Sequence, residues 1–494
     1  MSFCNSMSSF ENQLYSAEAI KALERYVIEV LQIPSSELMN RAGTEAWQVL
    51  IRHWPTCKRL AVFCGGGNNA GDGYVVAWLA KSAGLDVVVY ALTAPERLSG
   101  DALTMYTRYC QAGGVTEAYS SSSLVQAELI VDALFGTGLN KPVTGLYAEA
   151  VQAINALAVP VLALDIPSGL HADTGMVLGC AVKAAVTVTF IGIKQGLVTG
   201  DAGDYCGQLH CAALSVPDEA FAQIKSSAHQ VVQPKSWPKR LRNSHKGHYG
   251  HVLVVGGEVG YTGAAKLAGT AALRIGAGLV SIATKTAHAA MLNIDQPELM
   301  CHGVDNGLAL QKLLENKDVL VFGPGLGRSA WAKDLFSAAM SANIPMVVDA
   351  DGLNLLAESP LNKPQWVLTP HPGEAARLLG CTTKVIQQNR YQAVSALQAT
   401  YGGVVLLKGF GTLIASEGDI AVVNSGNPGM ASGGMGDVLA GVIGGLLAQG
   451  LPAWEAAQQG ALMHGLAADM AVAEYGERGL LASDLFNYLR RLVN

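Results

Sequence analysis

An α/β protein made of two successive domains, each with a parallel sheet, is what this sequence predicts, and three observations carry the prediction. Short apolar, β-rich runs alternate with helical patterns along the whole chain, the signature of βαβ units. Several of those runs are hydrophobic at every position, as strands covered on both faces must be. At 494 residues the chain is longer than one ordinary core supports.

In the first half the expected strands are 59–64, 86–91, 129–133 and 160–164. In the second half they are 251–255, 279–284, 319–322, 345–348, 366–369 and 404–408. Between the two sets, residues 223–244 are polar, carry two prolines and five Lys or Arg, and show no sustained periodicity. The join is therefore expected near residue 230, giving domains 1–230 and 231–494. No internal repeat is apparent.

Composition narrows the class. Half the residues are apolar, 15% are charged and 56 are glycine, which describes a globular chain and not a disordered one. A net charge of −6, with no basic stripe, offers no field for nucleic acid. The nine cysteines are scattered without a C-x-x-C pair, which fits a reducing, cytoplasmic setting. No secretory signal is visible, and the longest apolar runs, such as Val438 to Ala448, fall short of a membrane span. The expected partners are small molecules, with neither nucleic acid nor membrane among them.

Three strand ends in the first half carry chemistry. The strand 59–64 runs into G-G-G-N-N-A-G-D-G, residues 65–73, and then a helical run. The strand 129–133 ends in D-A-L-F-G-T-G-L-N-K-P, and 160–164 ends in D-I-P-S-G. Singly, each aspartate reads as a cap or turn residue. Loops leaving the carboxyl ends of parallel strands converge on one crevice, however. Asn69, Asp132 and Ser168 would then form a set of hard oxygen ligands for an alkali or alkaline-earth cation, and Asp165 and Lys141 would be left for substrate.

These motifs, in this order, resemble the YjeF N-terminal domain, the NAD(P)H-hydrate epimerase family, over roughly residues 10 to 220; Leu38 to Gly43 fits the first helix of that family. The resemblance implies a Rossmann-like three-layer sandwich that binds potassium and exchanges the R and S epimers of hydrated NADH or NADPH. It implies Asn69, Asp132 and Ser168 as potassium ligands. Asn68, Asp72, the loop Gly136, Thr137 and Gly138, and Asp165 would contact the substrate. Ala70 departs from the family, which more often has glycine there.

The second half repeats the theme of strand end and glycine turn. G-P-G-L-G spans 323–327, V-V-D-A-D-G-L-N 347–354, T-P-H-P-G-E 369–374 and L-K-G-F-G-T 407–412. Last comes N-S-G-N-P-G-M-A-S-G-G-M-G-D, 424–437, ahead of the apolar run Val438 to Ala448. Glycines before a helix N-terminus make an anion site. A carboxylate there, Asp437, is either a helix cap or a base beside a phosphate.

This ordering resembles the ribokinase-like superfamily and, within it, the ADP/ATP-dependent NAD(P)H-hydrate dehydratases, from about residue 240 to 494. H-P-G-E after Thr-Pro, where vitamin kinases of that superfamily usually carry N-x-x-E, favours the dehydratase. The resemblance implies that the terminal phosphoryl group of ADP passes to the C6 hydroxyl of the hydrated ring and then leaves as phosphate, with AMP as the other product. Asp437 would take the hydroxyl proton as a weak base, given the ordinary aspartate pKa of roughly 3.9. Lys408, Gly409, Phe410, Gly411, Thr412, Gly434 and Gly436 would hold the nucleotide, and Ala264, Gly327, His371 and Asp437 the hydrated coenzyme. Magnesium is expected from phosphoryl chemistry, as is self-assembly, since many relatives form homo-oligomers. The competing reading is a ribokinase-like kinase of a small alcohol fused to a non-catalytic binding domain.

Overall fold

Side chains of β1 (Arg59–Cys64) alternate between two buried environments. Leu60, Val62 and Cys64 join one hydrophobic cluster, Ala61 and Phe63 another. A strand with no solvent face needs a helical layer on each side. In the computed structural model, which describes residues 12–123 and 125–494, the helices Ala17–Glu29, Ser35–His53, Asn68–Ser82 and Gly100–Gln111 supply the first layer. The helix Gly145–Ala156 packs on the opposite face through Ala150, Val151 and Ile154. The chain divides between His229 and Gln230 into two compact units.

The first unit's sheet adds β2 (Asp86–Ala91), β3 (Val115–Ala118), β4 (Leu129–Ala133), β5 (Val161–Leu164), β6 (Val186–Phe190) and β7 (Gln208–Ala212). Their order is β3-β2-β1-β4-β5-β6-β7 and every pairing is parallel. The chain steps outward from β1 through β2 and β3, then returns to lay β4 on the other side of β1. The loops after β1 and β4 therefore flank a topological switch point, where open α/β sheets bind ligands.

The second unit comprises β8 (His251–Val255), β9 (Leu279–Thr284), β10 (Leu299–Gly303), β11 (Val319–Phe322), β12 (Met346–Val348), β13 (Trp366–Leu368), β14 (Val404–Leu407), β15 (Thr412–Ser416) and β16 (Asp419–Val423). They lie in the order β10-β9-β8-β11-β12-β13-β14-β15-β16. Pairings are parallel as far as β14 and antiparallel beyond it. Here the switch point falls between β8 and β11. One face of this sheet packs on the helices Thr262–Arg274, Met435–Ala448, Ala453–Tyr475 and Leu485–Leu492. On the other face Phe322 meets Phe336 of the helix Ala330–Met340, with ring centroids 6.0 Å apart. Both units are thus three-layered, as was expected of the first.

The structure revises the reading of residues 68–73. They are the first turns of the helix Asn68–Ser82 and not a loop. Their glycines are required by packing: a Cβ on Gly71 would lie 2.4 Å from Met39 Sδ, and one on Gly73 2.6 Å from Ala133 Cβ. Ala70 sits in the same turn, fully buried and without a positive φ, so its methyl is accommodated without strain.

The Ala/Gly stretch 263–278 faces the second unit's core. A Cβ on Gly441 would lie 2.0 Å from Ala268 O, and one on Gly445 2.4 Å from Ile275 Cγ2. The helix Met435–Ala448, whose N-terminus presents Asp437, is held against its neighbour by backbone contact. Gly441→Val is expected to cost about 3 kcal/mol. Urea denaturation should show that loss in the second unit while the first unit's transition stays in place.

Candidate functional sites

In the first unit, loops after β1, β4 and β5 meet at the switch point. Gly65 makes this possible, because a Cβ there would lie 2.1 Å from Leu134 O. Asp132, wholly buried, accepts hydrogen bonds from Ser168 Oγ at 2.7 Å, Ser168 N at 2.8 Å and Leu134 N at 3.2 Å. Asn69 donates from Nδ2 to Phe135 O and Leu164 O at 3.0 and 3.2 Å. Its Oδ1 is buried with no hydrogen-bond partner among the described residues. An orphaned buried acceptor beside a buried carboxylate calls for a cation. Burial pushes Asp132 up to about 6, against the pull of its Ser168 hydrogen bonds.

Asp165 lies beside this cluster in a left-handed conformation, φ 65°, which is rare and strained for a non-glycine residue. Its Oδ2 faces the loop 136–138, since a Cβ on Gly136 would be 3.1 Å from that oxygen and 3.7 Å from Asn69 Cβ. Gly138 borders open space. Asp72, one turn along the helix from Asn68 and Asn69, is held well above the usual carboxylate range by burial and by the charges of Asp165 and Glu24. The site therefore combines a carboxyl group that favours its proton with a second carboxylate held by a cation, a division that suits acid–base work.

Lys141, expected with Asp165 at the substrate, does not supply that cation. Lys141 is exposed in the loop after Gly138, and no hydrogen bond or ion pair among the described residues joins it to the cluster. Lys194 takes the role: its ammonium, 1% exposed, lies 2.5 Å from Asp165 Oδ1, 3.0 Å from Thr189 Oγ1 and 2.8 Å from Phe190 O. Nothing in the local sequence I-G-I-K-Q marks it. It is brought there by the chain reversal after β6.

The second unit builds its site the same way. A Cβ on Gly256 would lie 1.9 Å from Pro324 O, and one on Gly323 1.9 Å from Asp349 O. The loops after β8, β11 and β12 are thus in backbone contact. Asp349 is 1% exposed and pairs through Oδ1 with Lys408 Nζ at 2.6 Å. The next residue, Ala350, takes φ 48°, and Asp351 then opens the helix Asp351–Glu358. Asp351 Oδ2 accepts from Gly327 N at 2.8 Å. A Cβ on Gly325 would meet Ala264 Cβ at 3.0 Å, which places Ala264 and Gly327 at the same edge.

Gly434 caps the helix Met435–Ala448 in a left-handed conformation, φ 93°. A Cβ on Gly436 would lie 3.2 Å from Lys408 Nζ and 3.5 Å from Asp349 Oδ2, so the helix N-terminus rests on the Lys408–Asp349 pair. Burial, with the charge of Asp349, pushes Asp437 up to about 7. The expected weak base is instead a carboxylate poised near neutral pH. Burial opposes the charge on Lys408, but Asp349 and Glu374 raise it overall.

His371 caps the helix Pro372–Leu378: its Nδ1 accepts from Gly373 N at 3.0 Å, while Glu374 Oε2 accepts from His371 N at 2.8 Å. H-P-G-E is therefore a capping box that fixes a half-exposed imidazole and a buried carboxyl. Burial, with Lys408 nearby, lowers the His371 pKa, and burial raises that of Glu374. Lys408 to Thr412 form the turn between β14 and β15, with Thr412 Oγ1 donating to Gly409 O at 3.1 Å. Phe410 is 47% exposed.

Two residues of this site, Arg390 and His464, had no sequence signal beyond their type, while Asp349 and Glu374 lie in quoted motifs that gave neither of them a role. Arg390 is 1% exposed behind the 408–411 turn. His464 is buried and pressed down to about 4, chiefly by burial, and its Nε2 has no partner among the described residues. Among those residues no group of three or more His, Cys, Asp or Glu is arranged to hold a metal, and no helix is long and apolar enough to cross a membrane.

Comparison with known proteins agrees with both halves. Residues 35–196 match the family model of the YjeF-related protein N-terminus, and 252–491 that of NAD(P)H-hydrate dehydratase. The bifunctional NAD(P)H-hydrate repair enzyme Nnr of Coxiella burnetii is 47% identical over 97% of this chain and 99% of its own. Its namesake from Escherichia coli is 43% identical over 98% and 95%. Among solved structures, an ADP/ATP-dependent NAD(P)H-hydrate dehydratase from Bacillus subtilis co-crystallised with ATP/Mg2+ is 30% identical, with TM-score 0.47, over 52% of this chain and 93% of that one.

Removing Lys194 would leave Asp165 buried without its cation, at a cost of about 3 kcal/mol. Lys194→Met should therefore lower the first unit's unfolding midpoint in urea, whereas Lys141→Ala should leave it unchanged.

Proposed function

The chain belongs to the bifunctional NAD(P)H-hydrate repair enzymes, and we propose that its two units divide the repair of hydrated NADH and NADPH between them. The first unit exchanges the R and S epimers at C6, with Asp165 and Asp72 as the groups that move protons at the C6 hydroxyl. The second unit dehydrates the S epimer with ADP. The C6 oxygen bonds to the terminal phosphorus, the bridging P–O bond breaks and AMP leaves. The C6–O bond then breaks, phosphate departs, and loss of the C5 proton restores the ring double bond.

One observation carries the second assignment. Asp437 stands at the N-terminus of a buried helix beside Lys408, with its pKa pushed up to about 7. A base of that strength takes the hydroxyl proton as the new P–O bond forms, while the N–H groups of the Gly434–Gly436 turn stabilise the charge on the moving phosphoryl group. Lys408 neutralises charge on the same side, and Lys408 to Thr412 line the nucleotide.

Two cations suit the donor sets. Asn69 Oδ1, Asp132 and Ser168 Oγ offer hard oxygens to potassium, and the orphaned Asn69 oxygen supports that reading. In the second unit the charges of Asp349, Glu374 and Asp437 act on the single ammonium of Lys408, and that of Asp351 acts on Asp437. That excess of carboxyl groups suits magnesium, which Asp349 and Glu374 would hold. Magnesium supplies charge neutralisation on the phosphates. All eight cysteines among the described residues are free thiols, which fits a cytoplasmic enzyme.

Mixed epimers incubated with ADP or ATP should recover the near-ultraviolet absorbance of the reduced coenzyme; no recovery with either nucleotide would sink the dehydratase assignment. Because Asp437 must be ionised, kcat/KM for dehydration should rise with pH to a plateau above an inflection near 7. Asp437→Asn should lose this activity and keep epimer exchange. Asp349→Asn, which removes the carboxylate beside Asp437, should move the inflection to lower pH.

In the first unit Asp165→Ala should abolish epimer exchange while S-epimer repair continues. Replacing tetramethylammonium chloride by potassium chloride should raise the first unit's Tm. Asn69→Ala should cancel that rise.

A further inference from the structure

Arg390 is the first residue of the helix Arg390–Tyr401, outside every glycine motif of the sequence. Its guanidinium lies buried behind the turn 408–411 and donates to four carbonyl contacts there. Nη1 reaches Lys408 O at 3.3 Å; Nη2 reaches Leu407 O, Lys408 O and Gly411 O, each at 3.3 Å. A further bond from Nη1 to Gln387 Oε1, 3.1 Å, orients the fork from the helix side. A buried cation is tolerated where carbonyl oxygens surround it, and the five fixed N–H groups of arginine can span several of them at once.

Orientation follows from the planarity of the peptide. In a trans peptide the C=O and the following N–H point in opposite directions. Turning Lys408 O inward onto the guanidinium turns Gly409 N–H outward, to the face opposite Arg390. No other residue type fits at 409: φ is 137°, and a Cβ would lie 2.7 Å from Arg390 Nη1. The same clamp fixes the backbone of Lys408, whose N–H is bound to Pro370 O at 2.9 Å and whose ammonium meets Asp349.

We propose that Arg390 is a positioning residue of the nucleotide site, drawing the turn's carbonyls inward so that Gly409 N–H faces the nucleotide and Lys408 is held at its phosphate end. It touches neither substrate nor phosphate itself. The inference rests on the reading of 408–412 as the nucleotide turn. Arg390 differs in kind from a core residue, because its loss should be felt by the nucleotide before the hydrated coenzyme, whose contacts lie on other loops.

Steady-state kinetics of the full chain separate the cases. Arg390→Ala should raise KM for ADP about tenfold, the loss of one or two charge-assisted hydrogen bonds, with less than about a twofold change in KM for the hydrated coenzyme. Arg390→Lys should not rescue, because a point ammonium cannot span the carbonyls, whereas millimolar methylguanidinium added to Arg390→Ala should restore part of the ADP affinity. Gly409→Ala, which drives a methyl against the guanidinium, should reproduce the ADP-selective defect if Arg390→Ala proves too unstable to assay. Equal rises in both KM values, full rescue by lysine, or an unchanged KM for ADP would overturn the proposal. Lys408→Ala tells its failure from that of the site assignment: an unchanged KM for ADP there would mean that the turn does not bind the nucleotide at all.

Discussion

Each unit depends on a backbone contact at its switch point. Where the chain leaves the central strand, the loop must pass within van der Waals distance of the loop leaving the strand on the other side. Gly65 lies against Leu134 O, and Gly256 against Pro324 O, at separations that exclude any side chain. Those two contacts bring side chains from distant loops into one crevice. With a methyl group in either place, the loops would have to part and the polar clusters behind them would be lost. Two sheets with different strand orders meet the same steric demand with the same residue.

Burial of charge follows from that closeness. Both crevices centre on a buried lysine–aspartate pair, Lys194 with Asp165 and Lys408 with Asp349. Both surround the pair with more carboxyl groups than it can neutralise. Burial first, and that surplus second, raises Asp72 and Asp437. Removing either partner of such a pair is costly, and the pair itself adds little net stability. Its effect is felt by the neighbouring carboxyl group, whose pKa the aspartate of the pair raises and the lysine lowers. At Asp437 the helix dipole favours the ionised form, yet desolvation and Asp349 outweigh it.

Much of the fold was legible because apolar runs such as 129–133 and 319–322 are buried on both faces and carry an unbroken signal. The edge strands Val115–Ala118 and Leu299–Gly303 carry a weaker one: V-T-E-A is mostly exposed, and L-M-C-H-G is half-buried. Glycine was harder to read. In N-N-A-G-D-G it suggested a loop, but Gly71 and Gly73 serve helix packing, a contact made with residues far away in sequence. H-P-G-E looked like a substrate loop, and it is also a reciprocal helix cap.

The sequence alone determined which residue types stand at the strand ends, and hence that oxygen-bearing side chains gather in the first unit and a glycine-lined helix start with a carboxylate in the second. Local pattern suffices for this, since strand ends and helix starts are set by neighbours in the chain. Tertiary structure decided which charge meets which. Lys194 and not Lys141 reaches Asp165, Asp349 takes Lys408, Arg390 lies behind the turn 408–411, and burial with Asp349 brings Asp437 up to about 7. These outcomes depend on desolvation and on distances between segments 18 to 59 residues apart or more, and neither quantity is written in local sequence.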